Sequence, residues 1–108
     1  MDDYQRLDEL NNLLSKALSE YKARAREYAK AYREYRVALR KELLSLRAEG
    51  SPVTITGDLA RGEEHVAELK EQEIIAESLY KSCQEAINTY KLQIRVLYEQ
   101  IRTEYNNG

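Results

Sequence analysis

The sequence predicts an all-α fold, a long antiparallel helical hairpin of the coiled-coil type. Two stretches of roughly fifty residues lie on either side of the segment GSPVTITGDLARG, residues 50–62, which holds the only proline and three of the four glycines. In both stretches apolar residues recur at steps of three and four, which is the period of one helical face. Charged residues make up 33% of the chain, and Phe and Trp are absent, a composition typical of long helices.

The first helix is predicted over about residues 3–49. Its apolar positions are Leu7, Leu10, Leu14, Ala17, Tyr21, Ala25, Tyr28, Tyr32, Tyr35, Leu39, Leu43 and Leu46. Asp2 or Asp3 can cap its start. We expect Gly50 to adopt a positive φ just beyond its end, and Pro52 prevents the helix from continuing.

The second helix is predicted over about residues 63–106 and has a regular heptad pattern. The positions on its stripe are Val66, Leu69, Glu73, Ala76, Tyr80, Cys83, Ile87, Tyr90, Ile94, Leu97 and Ile101, with Glu73 the one polar exception. Ile75, Leu79, Leu92 and Val96 lie beside the stripe, where a lone hairpin does not need apolar side chains. We therefore expect self-association, as a homodimer that forms a four-helix arrangement.

A single domain, residues 1–108, follows from the length. Folding the chain about position 55 brings residue i near residue 110 − i, so that Tyr21 is expected near Tyr90 and Tyr28 near Cys83. Residues 20–49 carry a net charge of +4 and residues 58–108 a net charge of −4. This opposition of charge favours an antiparallel arrangement, although each exposed pair adds only ~0.2–1 kcal/mol.

The connecting segment, residues 50–62, is interpreted as a structured turn. Val53, Ile55 and Leu59 are expected to cover the end of the hairpin, while Thr56 or Asp58 caps the second helix. The segment is longer than a minimal helical connection, and elaborated loops often carry function. The alternative is therefore that its tip contacts a partner. The candidate contact residues are Thr54, Thr56, Asp58 and Arg61.

A second candidate surface, the Tyr/Arg face, lies on the first helix. Its residues are Arg26, Tyr28, Tyr32, Arg33, Tyr35, Arg36 and Arg40. Buried tyrosine needs a partner for its hydroxyl group, and Tyr and Arg are common in interface hot spots. Either this is a core with a polar edge and a solvated flank, or it is a surface on which an external ligand or protein docks.

The sequence offers no catalytic or metal-binding set. His65 with Glu64 and Glu68 has the order His-x-x-Glu, whereas di-iron bundles use Glu-x-x-His from two helices. Cys83 has neither a histidine nor a helix N-terminus close by in the sequence, so we expect a small core residue. The chain is therefore predicted not to be an enzyme and to need no cofactor.

Besides a second copy of the chain, three kinds of partner are possible. The favoured one is an unidentified protein. The alternative is nucleic acid, bound through Arg26, Arg33, Arg36, Arg40 and Lys41, although the net charge of −2 opposes it. A third reading is a sponge for a small ligand or nucleotide. The acidic beginning MDDYQRLDEL is unlike a secretory signal, and no run is apolar enough to span a membrane. We expect a cytoplasmic protein.

Several short sequence motifs resemble those of a known family. They are spread over about residues 32–105 and read "LRAEG-P-T", "DLARG", "AE-LY", "EAI" and "KLQIR-L--QI--E". The chain resembles a family of small coiled-coil proteins from phages and prophages of Gram-positive bacteria, a family without an assigned function. The resemblance implies an accessory role during phage growth or lysogeny in the cytoplasm of a bacterial host. Replication, recombination and host-defence proteins are the partners that such a role suggests.

Overall fold

The computed structural model describes residues 2–107, and Met1 and Gly108, the two ends of the predicted domain, lie outside them. Three helices follow one another: α1 spans Asp3–Ala48, α2 spans Val53–Arg61 and α3 spans Glu64–Asn107. Residues 2–107 contain no strand, so the prediction of an all-α helical hairpin is confirmed. Within these residues no helix is both long and apolar enough to cross a membrane.

Both ends of α1 are closed by hydrogen bonds that the sequence provides. The backbone N–H of Gln5 donates to Asp2 Oδ1 at 2.8 Å, and the backbone N–H of Asp2 donates to Gln5 Oε1 at 3.1 Å, a reciprocal cap. At the other end Gly50 has φ of 91°, as predicted. The N–H of Ser51 then donates to the carbonyl of Leu46, which completes a Schellman motif.

The segment after this turn forms a helix, whereas the sequence analysis interprets it as a structured turn. Pro52 is extended, with φ −60° and ψ 139°, and the nine residues of α2 follow it. Gly62 keeps a right-handed helical conformation, so only a short break separates α2 from α3. The chain therefore turns first at residues 49–52 and bends again at Glu63, between α2 and α3.

The chain divides into two compact units, and each has a core of its own. One comprises Met1–Arg24 and Tyr80–Gly108, and the other comprises Ala25–Leu79. In the first unit α1 and α3 pack through Ala17, Cys83 and Ile87 with Leu14, Tyr21 and Tyr90 around them. In the second unit Tyr35, Leu39, Ala60 and Val66 form the core, so that all three helices contribute to it.

The predicted stripe of α3 is confirmed at every position, since each of its residues is buried or half-buried. Glu73 is included, and its buried carboxylate accepts a 2.9 Å hydrogen bond from Lys70. On α1 the stripe has one error. Tyr32 is 50% exposed, and Ala31 occupies the half-buried position instead.

The expected pairing about position 55 is wrong in the first unit. The thiol of Cys83 donates to the carbonyl of Ala17 at 3.3 Å, and the hydroxyls of Tyr21 and Tyr80 lie 2.7 Å apart. Residue i therefore faces roughly residue 100 − i rather than 110 − i. The reason is the position of the turn, because a helical α2 moves the reversal of the chain from the middle of the segment to its beginning.

Candidate functional site

Three large apolar residues of α2, which we call the tip helix, are exposed in the second unit. Val53, Ile55 and Leu59 are 69%, 48% and 46% exposed. The expectation that they cover the end of the hairpin is therefore wrong. Thr56 and Ala60, at 3% and 0% exposure, are the residues that α2 buries, because their spacing of four places them on one face of a helix.

Thr56 is predicted to be a contact residue of the tip, but it is buried in the interior. Its hydroxyl donates to the carbonyl of Pro52 at 2.6 Å, one turn earlier in the helix. Thr54, Asp58 and Arg61, the other candidate contact residues, are exposed. The guanidinium group of Arg61 lies back along the helix, since a Cβ atom at Gly57 would be only 3.3 Å from Arg61 Nη1.

The start of α3 is capped by Glu63 and not by Thr56 or Asp58. The backbone N–H groups of Val66 and His65 donate to the Glu63 carboxylate at 2.9 and 3.1 Å. These two hydrogen bonds, the one from Val66 first, lower the pKa of Glu63 below its usual value. The cap fixes the direction in which α3 leaves the tip helix.

Part of the Tyr/Arg face is brought together along α1. Tyr32, Arg33, Arg36 and Arg40 line an open groove of about 530 Å³ whose remaining walls are Val37, Leu39 and Leu43. The other members of the set are elsewhere. Tyr35 is buried in the core, with Lys70 Nζ 4.9 Å from the centre of its ring. Tyr28 is half-buried, and Arg26 is exposed but does not line the groove.

A larger groove of about 740 Å³ runs between α1 and the first turns of α3. Its walls mix apolar side chains with both signs of charge, as in Val37, Lys41, Glu42 and His65. Within residues 2–107 no three His, Cys, Asp or Glu side chains are grouped so that they could hold a metal ion. The surface of the groove thus combines apolar side chains with positive and negative charges.

In the first unit the tyrosines form a polar network within the core. Besides the hydrogen bond between Tyr21 and Tyr80, Gln84 Nε2 lies 3.4 Å from both hydroxyl oxygens. The two rings are 5.1 Å apart between centroids and tilted by 32°. These hydroxyl groups are thus satisfied by other side chains of the core, as tyrosine at a buried position requires.

Sequence reasoning missed the exposed apolar residues of the tip helix. The signal that could have found them is the helical spacing of Ile55 with Leu59 and of Thr56 with Ala60. Comparison with known proteins adds no relative: no family model, no curated protein and no solved structure matches the chain.

Proposed function

We propose that the chain is a non-enzymatic accessory protein that acts by binding another protein, with the tip helix as part of the binding surface. One observation carries this proposal. The tip helix turns Val53, Ile55 and Leu59 towards solvent while it buries Thr56 and Ala60. Large apolar side chains grouped at the surface commonly mark protein–protein contact sites.

The surroundings of these apolar residues fit such a contact. Thr54, Asp58 and Arg61 are exposed on the same nine-residue helix and provide hydrogen-bonding and charged groups of both signs. Protein interfaces combine apolar contact area with polar groups of this kind. The resemblance to small phage and prophage proteins suggests the setting, namely phage growth or lysogeny with a replication, recombination or host-defence protein as partner.

Self-association is the second part of the proposal. Ile75, Leu79, Leu92 and Val96 are 51%, 40%, 52% and 54% exposed in the single chain, although they lie next to the buried stripe of α3. A homodimer with a four-helix arrangement removes such side chains from water. Light scattering at micromolar concentration is expected to give twice the chain mass of 12.6 kDa. A monomer at that concentration contradicts this part.

The proposal for the tip helix is tested by affinity capture from cells in which the phage or prophage is active. Ile55→Ser with Leu59→Ser is expected to lose the captured partner. The matched control is Leu18→Ser with Ile74→Ser, which changes two apolar residues of similar exposure, 44% and 52%, that lie on none of the proposed surfaces. The proposal fails if the first variant keeps the partner, or if both variants lose it equally.

Nucleic-acid binding is the second candidate, because three arginines and the half-exposed Tyr32 share one groove. Cations that contact phosphates give an affinity that falls with salt, with a log–log slope of about −0.9 per neutralised phosphate on duplex DNA. We expect no such binding at physiological salt. A salt-sensitive gel shift that disappears in Arg33→Glu with Arg40→Glu establishes this candidate in place of the first.

A further inference from the structure

One face of α1 carries exposed cations and apolar residues in a regular order. The residues of this arginine row are Arg33, Val37, Arg40 and Leu44, at steps of four, three and four. All are exposed, Val37 by 48% and Leu44 by 59%. Arg33 lies two residues before the buried Tyr35 and Val37 two residues after it, which is about 200° around the helix. The arginine row therefore lies outside the core of the unit, with Arg33 and Val37 beside the groove between α1 and α3.

One face of α3 in the same unit carries three acidic residues and one apolar residue at the same spacing. The residues of this acidic row are Glu64, Glu68, Glu71 and Ile75, again at steps of four, three and four. All are exposed, and Ile75 is 51% exposed. Glu64 and Glu71 each lie two residues before a buried residue, Val66 and Glu73. The acidic row thus also points away from the core.

Neither row finds its counter-charges within the chain. Among residues 2–107, the two arginines and the three glutamates of the rows make no hydrogen bond or ion pair, whereas Arg6 and Arg102 each hold a glutamate three residues away. The glutamates of the acidic row stand three and four residues apart, and the two arginines of the arginine row stand seven apart, with Arg36 four residues before Arg40. Like charges three or four apart on a helix repel one another. An oppositely charged surface therefore relieves both rows.

We propose that the arginine row of one copy packs along the acidic row of a second copy, with α1 and the neighbouring α3 parallel. This inference rests on the self-association proposed above. In the parallel register Arg33 meets Glu64, Arg40 meets Glu71 and Leu44 meets Ile75, because the spacing of the two rows is the same. An antiparallel register that pairs the charges leaves Leu44 and Ile75 without an apolar counterpart, whereas Val37 faces Glu68 in both registers.

The contact is heterologous, because the two rows lie on different helices and the arginine row of one copy meets the acidic row of its neighbour. A pair of copies joined in this way still has one free arginine row and one free acidic row. Heterologous contacts close into rings or continue as open chains. Species larger than a dimer are therefore expected as the concentration rises, and salt weakens them because the charged side chains are exposed.

The test is sedimentation velocity at low salt with two charge-reversed variants. One variant combines Arg33→Glu with Arg40→Glu, and the other combines Glu64→Lys with Glu71→Lys. In each variant alone, the two rows that meet between copies carry charges of the same sign. Its self-association is therefore expected to weaken on the order of tenfold or more. An equimolar mixture of the two restores association, because each row of one variant then opposes a row of opposite charge on the other. Circular dichroism shows whether each variant keeps its helices.

Three results overturn the inference. A wild-type chain that is monomeric at all concentrations removes self-association together with the pairing of the rows. Wild-type association that neither variant weakens removes the pairing alone and leaves self-association to other surfaces. Association that only one of the variants loses, or a mixture that does not restore it, shows that the two rows do not face each other. A salt-sensitive gel shift that the arginine variant loses would then assign the arginine row to nucleic acid.

Discussion

Truncation of Leu59 and of Val66 to alanine distinguishes an exposed tip helix from one that closes the end of the hairpin. Val66 is 1% exposed and belongs to the core of the second unit. Its truncation removes two buried methyl groups at about 0.8 kcal/mol each and leaves a small cavity, so we expect a loss of about 2 kcal/mol. Leu59 is 46% exposed, so roughly half of the three carbons removed contact protein, and we expect about 1 kcal/mol or less.

The assay is urea unfolding followed by circular dichroism, at a fixed chain concentration because self-association changes the apparent stability. The difference between the two free energies of unfolding is the quantity of interest, since errors of extrapolation are shared. A loss for Leu59→Ala equal to that for Val66→Ala refutes the reasoning. It would mean that Leu59 is covered in solution, and the apolar surface that carries the proposed function would then be absent.

Three further predictions concern the turn, the cap of α3 and the tip helix. Gly50→Ala is expected to lower the free energy of unfolding by about 1 kcal/mol. The reason is the φ of 91°, which is unfavourable for a residue with a side chain, even though no atom lies within 4 Å of the added Cβ. Gly62→Ala is the control and should not destabilise the chain, because Gly62 has φ −88°. Glu63→Gln should lower the melting temperature at neutral pH. Because hydrogen bonds lower the pKa of Glu63 in the folded chain, its contribution is present above the usual value of 4.5 and is lost as the pH falls through the lowered value, so the two melting temperatures should converge in acid. Asp58→Ala with Arg61→Ala should leave the melting temperature nearly unchanged and weaken capture of a partner; undiminished capture would limit the contact to the apolar residues.

The stripe of α3 could be predicted from the sequence because it depends only on the period of the helix. Steps of three and four recur without interruption from Val66 to Ile101, and no glycine or proline disturbs them. Even the buried acid at Glu73 follows the period, with the counter-charge supplied by Lys70 one turn before. Local spacing therefore sufficed to identify which residues of this helix are buried.

The tip helix and the pairing of α1 with α3 could not be predicted in the same way. Gly57 and Gly62 indicate a loop by their usual preferences, yet both take part in a helical segment or its end. Glycine in a helix costs only about 1 kcal/mol relative to alanine, and burial of Thr56 and Ala60 within the second unit can offset that cost. The pairing in the first unit then changed with the turn, because a shift of the reversal by five residues displaces each facing pair there by about ten.

The polar residues of the chain divide according to whether the chain itself satisfies them. Among residues 2–107, no buried side-chain nitrogen or oxygen lacks a hydrogen-bond partner. Tyr21 with Gln84, and Lys70 with Glu73, show how core positions meet this requirement. Their polarity is explained by the fold alone and needs no external partner. The exposed charges of the arginine row and the acidic row make no such contacts within residues 2–107 of one chain, and like charges three or four residues apart on a helix reduce its stability. A second copy of the chain, which carries both rows at the same spacing, provides the explanation that requires the fewest additional molecules.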